Sequence, residues 1–274
     1  MKLQPDELEK PLRKLRKQLN TLSPNPRPED VHSLRTQSRR LEATITAMAL
    51  EREKQARRLI KLIKPVRKAA GNVRDMDVLI GDVLTTCGNE GGDPAVRLIQ
   101  HLARMRLRNA RRLHDLVQRR RSNLRTRLKQ SSKLIRRKIK EDGAGMDGQA
   151  APRILITELS HWPGLEEANL HLFRIRIKEL RYMLQLHEQA DRKLVDLLGE
   201  VKDAIGEWHD WGELEKIANS VLDAETGSDL LKRIEKTRAE RLQVALTAAN
   251  RVRDRYFGVP DGRKTGKKIL QMAS

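Results

Sequence analysis

The sequence is short of most features that mark the commoner functional classes. Its one cysteine, Cys87, excludes an internal disulfide framework and points to a reducing compartment. By itself that thiol reads as a loop or helix-end residue. No Cys-x-x-Cys or His-Glu-x-x-His occurs, which argues against zinc, and no Gly-x-x-x-x-Gly-Lys-Ser/Thr argues for a nucleotide loop. Uncharged stretches such as Ala43–Leu50 fall far short of the ~20 residues that a membrane span needs. The opening Met-Lys-Leu-Gln-Pro-Asp-Glu carries charge where a signal peptide needs an apolar core. Aromatic residues are 3 % of the chain, too few for the base-stacking platforms of single-strand binders, where each ring contributes about 1–3 kcal/mol. Of these, Phe173, Tyr182 and Trp208 lie in apolar helical patterns and read as core.

Acidic charge is also scarce. The 274 residues hold 57 Lys and Arg against 37 Asp and Glu, a formal net charge of +20. The imbalance is concentrated: from Arg97 to Lys140 there are 17 basic residues and a single acid, Asp115. Solvated helices normally mix signs to gain i,i+4 pairs. A run this one-sided repels itself unless a polyanion, an anionic lipid or an acidic protein offsets it.

What the chain does contain is helix-forming sequence. Arg, Lys, Leu, Ala, Glu and Gln dominate, and β-branched alternation is nearly absent, so the fold class is all-α. The first helix spans about Glu7–Leu22, the Ser23–Pro28 connector is stiff, and the second runs to about Ala49. A third follows from about Arg52 to Leu84, with a kink allowed at Pro65. After a glycine-bearing loop at Thr85–Asp93 comes a long basic helix, Pro94–Lys140. Shorter helices near Arg153–Ser160 and around His171 precede two more, near Lys193–Leu222 and Ser228–Tyr256. This divides the chain into an N-terminal helical half at 1–140, a linker at 141–151, a C-terminal half at 152–257 and a basic, mobile tail at 258–274.

The two halves share a pattern. His32-Ser-Leu-Arg35-Thr-Gln-Ser-Arg39-Arg40-Leu41 matches His171-Leu-Phe-Arg174-Ile-Arg176-Ile-Lys178-Glu179-Leu180 in a histidine, basic residues at +3 and +7, and leucine at +9. On a helix those positions share one side, so each half carries a cationic stripe led by an imidazole. A second block follows. Leu62-Ile-Lys-Pro-Val66-Arg67-Lys68-Ala69-Ala70-Gly71-Asn-Val-Arg74-Asp75 aligns without a gap to Leu197-Leu-Gly-Glu-Val201-Lys202-Asp203-Ala204-Ile205-Gly206-Glu-Trp-His209-Asp210. Two ordered blocks at similar spacing read as an internal duplication.

His209-Asp210 and His114-Asp115 also look like the His-Asp pair of helical metal phosphohydrolases. The repeat partner of His209 is Arg74, however, and arginine cannot ligate a metal. Cation replaces cation, which points to anion contact, with Asp75 and Asp210 orienting basic neighbours or capping a helix. His187 reads as a core or surface histidine. No metal and no cofactor is expected. A repeated basic stripe without stacking rings suits a ligand that is phosphate alone, while duplex DNA or structured RNA stays open because phosphate contacts need no stacking.

The doubled pattern His-x-x-Arg-x-x-x-Arg/Lys-x-x-Arg, followed by Gly-x-x-Arg/His-Asp, resembles the CHAD domain (conserved histidine α-helical domain) over about residues 5 to 257. The first half departs from it at Glu42, which stands opposite Arg181. The resemblance implies two four-helix bundles about a pseudo-twofold, with a basic groove or pore between them. It also implies non-catalytic binding of inorganic polyphosphate in the cytoplasm at polyphosphate granules. The Glu-x-Glu-x-Lys strand of the companion CYTH module is missing, so a stand-alone binding protein is expected.

Carried across by position, the implied ligand set is His32, Arg35 and Arg39, with Arg67 and Arg74, in the first half. In the second it is His171, Arg174, Lys178 and Arg181, with Lys202 and His209. Arg104, Arg106 and Arg112 are candidates to extend the groove. Imidazoles beside a polyanion favour protonation, so binding is expected to strengthen as the pH falls toward about 6. The alternatives are a general nucleic-acid binder, and a phosphoanhydride enzyme drawing on Glu42, Asp75, Glu179 and Asp210.

Overall fold

The computed structural model describes residues 3–87, 92–142, 150–188 and 190–258. Eight α-helices account for almost all of them: α1 Pro5–Thr21, α2 Pro28–Ala47, α3 Lys54–Cys87, α4 Gly92–Asp142, α5 Ala150–Ser160, α6 Glu167–Leu184, α7 Arg192–Val221 and α8 Ala224–Val252. A π-helical turn, Arg253–Phe257, continues α8. Among the described residues there is no strand, and one isolated bridge joins Leu3 to His187. No described helix is long and apolar enough to cross a membrane.

Local chemistry explains the helix boundaries. Pro5 and Pro28 occupy the first helical position of α1 and α2, where a missing N–H costs nothing, and Asp6, Glu7, Glu29 and Asp30 complement the N-terminal dipole. Asp191 caps α7 by accepting from the backbone N–H groups of Lys193 and Leu194 at 2.8 and 3.3 Å. Helix α3 runs on through Pro65, and it extends three residues past the expected end, to Cys87. The basic helix α4 is one unbroken element of 51 residues. The expected loop around residues 88–91, the linker from 143 to 149 and the tail beyond Gly258 lie outside the described residues.

Helix α1 packs on α2 and α4, α2 on α3, and α3 on α4; α5 packs on α6, α6 on α7, and α7 on α8, with the π-turn returning to α5. The two sets meet chiefly where α2 lies on α6 and α3 on α7. Both apolar clusters contain residues from both sets. The larger joins Leu8, Leu15, Leu34, Leu41 and Ile63 to Phe173, Ile177 and Phe257. The smaller joins Leu79, Leu98 and Leu102 of α3 and α4 to Trp211, Leu214 and Ile234 of α7 and α8. Burial of each such side chain contributes about 1.5–3 kcal/mol, so the meeting of α2 and α3 with α6 and α7 is fixed by packing rather than by loops.

Arg106 of α4 belongs to this framework. Its Nε approaches Asp77 Oδ1 at 2.5 Å, its Nη1 donates to Asn25 Oδ1 at 2.5 Å, and its Nη2 donates to Pro26 O at 2.7 Å. One guanidinium thus ties α3, α4 and the α1–α2 connector together. Asp77 is 6 % exposed at its side chain, so truncating Arg106 strands a buried charge. Arg106→Ala is expected to cost about 3–5 kcal/mol in urea unfolding, with the anion affinity of the folded protein unchanged. The expectation that Arg106 extends a ligand groove is therefore corrected: its donors are already used.

Candidate functional site

The packing of α2 on α6 and α3 on α7 brings the cationic stripes of the two halves face to face. Arg35 and Arg39 of α2 act on Lys178 of α6, as do Arg174 and, from α7, Lys202. His32 of α2 sits in the field of Arg74, Arg35 and Lys202. Arg39 faces Arg67 and Arg35. The rings of His171 and His209 lie 4.7 Å apart between centroids, inclined at 32°. Ten of the eleven candidate residues thus join one cluster drawn from four helices. Arg181, the eleventh, lies one turn beyond Lys178 on α6. Its Nε donates to Val195 O at 3.2 Å, beside Gly199 and two turns of α7 before Gly206.

The arginines are seated on glycines. Arg174 donates from Nε to Lys202 O at 3.1 Å and lies across the bare Cα of Gly206, where a Cβ would come within 2.5 Å of Nη2. Arg181 lies on Gly199, a Cβ position 3.2 Å from its Nε. In the first half Arg35 lies over Gly71 at 3.7 Å. The glycine of the second Gly-x-x-Arg/His-Asp block therefore makes room for the arginine at +3 of its stripe, while that of the first block leaves ordinary van der Waals clearance to Arg35. The sequence displayed these glycines but not their purpose, because the helix across from them was not identifiable.

Carboxylates are present but few. Asp75 lies 4.0 Å from Arg35, Asp210 lies 3.5 Å from His209, and Asp203 approaches Lys202 at 2.5 Å. Glu42, which replaces a cation in the first stripe, pairs with Arg67 at 3.3 Å. That carboxylate neutralises one first-half cation at the position where the second half presents Arg181.

Crowding of like charge shows in the titrating groups. Desolvation, reinforced by Arg174, Arg39, Arg35 and Lys202, pushes the Lys178 ammonium down to about 6. Lys178 is 7 % exposed. Desolvation and neighbouring cations likewise lower both leading imidazoles: Arg74, Arg35 and Lys202 act on His32, and His209, Arg174 and Lys178 on His171. Beneath them, burial and Asp210 raise Asp75, while burial, Asp210 and Glu207 raise Asp82 to about 6. Lys178 and both leading imidazoles therefore hold their protons less tightly than free side chains do, and the two aspartates more tightly. Among the described residues no group of three or more His, Cys, Asp or Glu side chains is placed to hold a metal ion.

A family model for the CHAD domain matches residues 7–219. The chain belongs to the CHAD family. Two solved structures share the CHAD fold seen here at low sequence identity. One is the CHAD domain from the plant Ricinus communis, with 16 % identity, TM-score 0.68, and 93 % of this chain and 90 % of that one covered. The other is PptA from Streptomyces chartreusis, with 18 % identity, TM-score 0.60, and 93 % of this chain and all of that one covered. No curated protein sequence matches this chain. The matched segment holds all eleven candidate residues.

Proposed function

We propose that this CHAD protein binds inorganic polyphosphate, without catalysis, in the cationic cluster between its two helical sets. The observation that carries the reading is Lys178, a buried lysine crowded by Arg35, Arg39, Arg174 and Lys202 from three helices. Such an arrangement raises the energy of the empty protein, and a chain of phosphates relieves it. Arginine forks grip phosphate oxygens through charge-assisted hydrogen bonds, and the lysines act as point charges. On this reading Arg181 lies at the edge of the groove, two helical turns from Arg174, and extends it for a longer chain.

The fold implied is a duplicated four-helix bundle with a pseudo-twofold, the halves falling at about 1–140 and 152–257. The matching seats, Arg35 on Gly71 and Arg174 on Gly206, support it. No catalytic step is assigned, because a phosphoanhydride hydrolase needs carboxylates free to hold a divalent cation. Asp75 and Asp210 instead face Arg35 and His209. Single-strand binding by base stacking is disfavoured at this cluster: Phe173 is fully buried against Trp162, and Trp208 is 7 % exposed, so neither Phe173 nor Trp208 is available to stack on bases. The setting that follows is the cytoplasm, at polyphosphate granules.

The test is competition at physiological salt. Labelled long-chain polyphosphate is challenged with tRNA, duplex DNA and pyrophosphate, on the wild type and on Arg174→Ala/Lys178→Ala/Arg181→Ala. Polyphosphate should resist excess competitor on the wild type and be lost from the variant. Ready displacement, or a variant that binds equally well, overturns the reading.

A further inference from the structure

Two cation-lined clefts flank the C-terminal half of α4, away from the cluster. The cleft between α4 and α1 encloses about 640 Å³ and is lined by Arg16, Arg121, Arg125 and Lys129. The cleft between α4 and the start of α3 encloses about 390 Å³ and is lined by Lys54, Arg58, Arg127, Lys133 and Arg137. Among the described residues, no carboxylate lines either cleft. Arg121 donates to Asn20 O at 3.0 Å and Arg127 to Gln130 Oε1 at 2.8 Å, neutral partners that leave their positive charge uncompensated. Arg137, at the end of the second cleft, pairs with Glu141 at 3.4 Å and is left out of the variants below. No α4 residue figures among the chief charges acting on Lys178, His32 or His171. The feature is therefore electrostatically separate from the polyphosphate cluster.

The crest between the clefts sets the shape of the partner. At 100° per residue, Arg125 and Arg127 project to opposite sides of Thr126. Ser122 and Thr126, both exposed, are small residues on the outer face of α4 bordering the α1-side cleft, with Arg119 before them and Lys133 of the second cleft beyond. A single extended polyanion needs one such cleft. The two clefts lie on opposite flanks of one helix, offset along it with α4 linings at 118–129 and 127–137, and together match two strands of phosphate.

We infer that α4 is a second anion surface, which seats as a ridge in the major groove of B-form DNA with one phosphate strand along each flank. A helix with its side chains is about 10–12 Å across, and the B-form major groove is about 12 Å wide. The A-form major groove of double-stranded RNA is too narrow to admit side chains. Binding through phosphates carries no sequence information, and short side chains at the crest let the groove floor approach. The function goes beyond the polyphosphate reading and does not rest on it.

The probe is a labelled random-sequence DNA duplex two helical turns long, titrated by fluorescence anisotropy across a salt series. Three variants are compared, with helical content checked by circular dichroism: Arg121→Ala/Arg125→Ala/Lys129→Ala, Lys54→Ala/Arg58→Ala/Lys133→Ala, and the cluster variant Arg174→Ala/Lys178→Ala. Each flank variant should weaken duplex binding about tenfold or more and flatten the log–log salt slope by about two to three. The cluster variant should leave duplex binding intact, and double-stranded RNA of equal length should bind more weakly. Duplex binding that depends on one flank alone, that is lost in the cluster variant, or that is equalled by double-stranded RNA overturns the inference. Because the polyphosphate test reads the cluster variants, either proposal can fail without the other.

Discussion

Replacing Lys178 with methionine is expected to stabilise the unliganded protein while weakening its hold on polyphosphate about tenfold or more, the range expected when a charge-assisted hydrogen bond worth about 1.5–3 kcal/mol is lost. Burial is the cause of both effects. Lys178 keeps its proton in the unfolded chain until about its ordinary value of 10.5, but in the folded protein the value is about 6. Between those limits the unfolded state binds one proton more than the folded state, so this group makes stability rise with pH across that window. Below about 6 the cost is fully present, and above 10.5 it is gone. At neutral pH it is on the order of 5 kcal/mol, since each tenfold loss of proton affinity on folding corresponds to about 1.4 kcal/mol. Methionine fills similar space without the charge. The stability advantage of Lys178→Met should therefore be largest near pH 6 and fade as the pH climbs toward 10, as measured by parallel urea unfolding of the two proteins. An advantage that does not change with pH would place the ammonium in water, and the stabilisation would then have another origin.

The same groups set the sign of the binding response. Polyphosphate favours the protonated forms of Lys178, His32 and His171, so binding takes up protons, and affinity rises as the pH falls from about 8 toward about 6. The limit is tenfold per pH unit for each proton taken up. In Lys178→Met the dependence should shrink to what the two imidazoles supply.

Gly206→Ala has the second large expected effect. The new methyl would lie 2.5 Å from Arg174 Nη2 and 3.2 Å from Cζ, so the guanidinium has to leave its seat and its bond to Lys202 O. What moves is the end of a flexible side chain, and alanine is favoured over glycine in a helix interior by about 1 kcal/mol. Fold stability should therefore stay within about 1 kcal/mol of the wild type, while polyphosphate affinity falls about tenfold through the misplaced fork. Gly71→Ala is the matched control. Its methyl would meet Arg35 Nε at 3.7 Å, ordinary van der Waals contact, and should change little. Equal affinities for Gly206→Ala and the wild type would show that the position of Arg174 does not matter.

Most of the helices were legible because their signals are local. The amphipathic spacing of α1 and the acidic first turn of α2, Glu29 and Asp30, place them within a few residues, although Pro28 belongs to α2 rather than to the connector and α1 begins at Pro5 rather than Glu7. The candidate cluster was legible as two stripes because the spacing of His, +3 and +7 is a property of one helix. That the stripes of α2 and α6 meet depends on packing between distant segments, which no local pattern states. Arg181 continues the second stripe as its spacing states, two turns from Arg174, and what the sequence did not state is its seat on Gly199 and Val195 O. Arg106 could not be placed for a related reason. One arginine in a run of 17 basic residues looks like its neighbours, and its partner Asp77 lies 29 positions away. The depressed value of Lys178 could not be read from composition, since burial is its largest cause.

The most direct test is isothermal titration of the protein with polyphosphate of defined length, comparing Arg35→Ala/Arg39→Ala from α2 with Arg174→Ala/Lys178→Ala from α6. If both helices build one site, each variant lowers the affinity of the same single class of site, and the wild type binds one chain per protein. If each variant removes half of the wild-type sites and leaves the rest at full affinity, or if neither changes the titration, the account of a shared cluster is wrong.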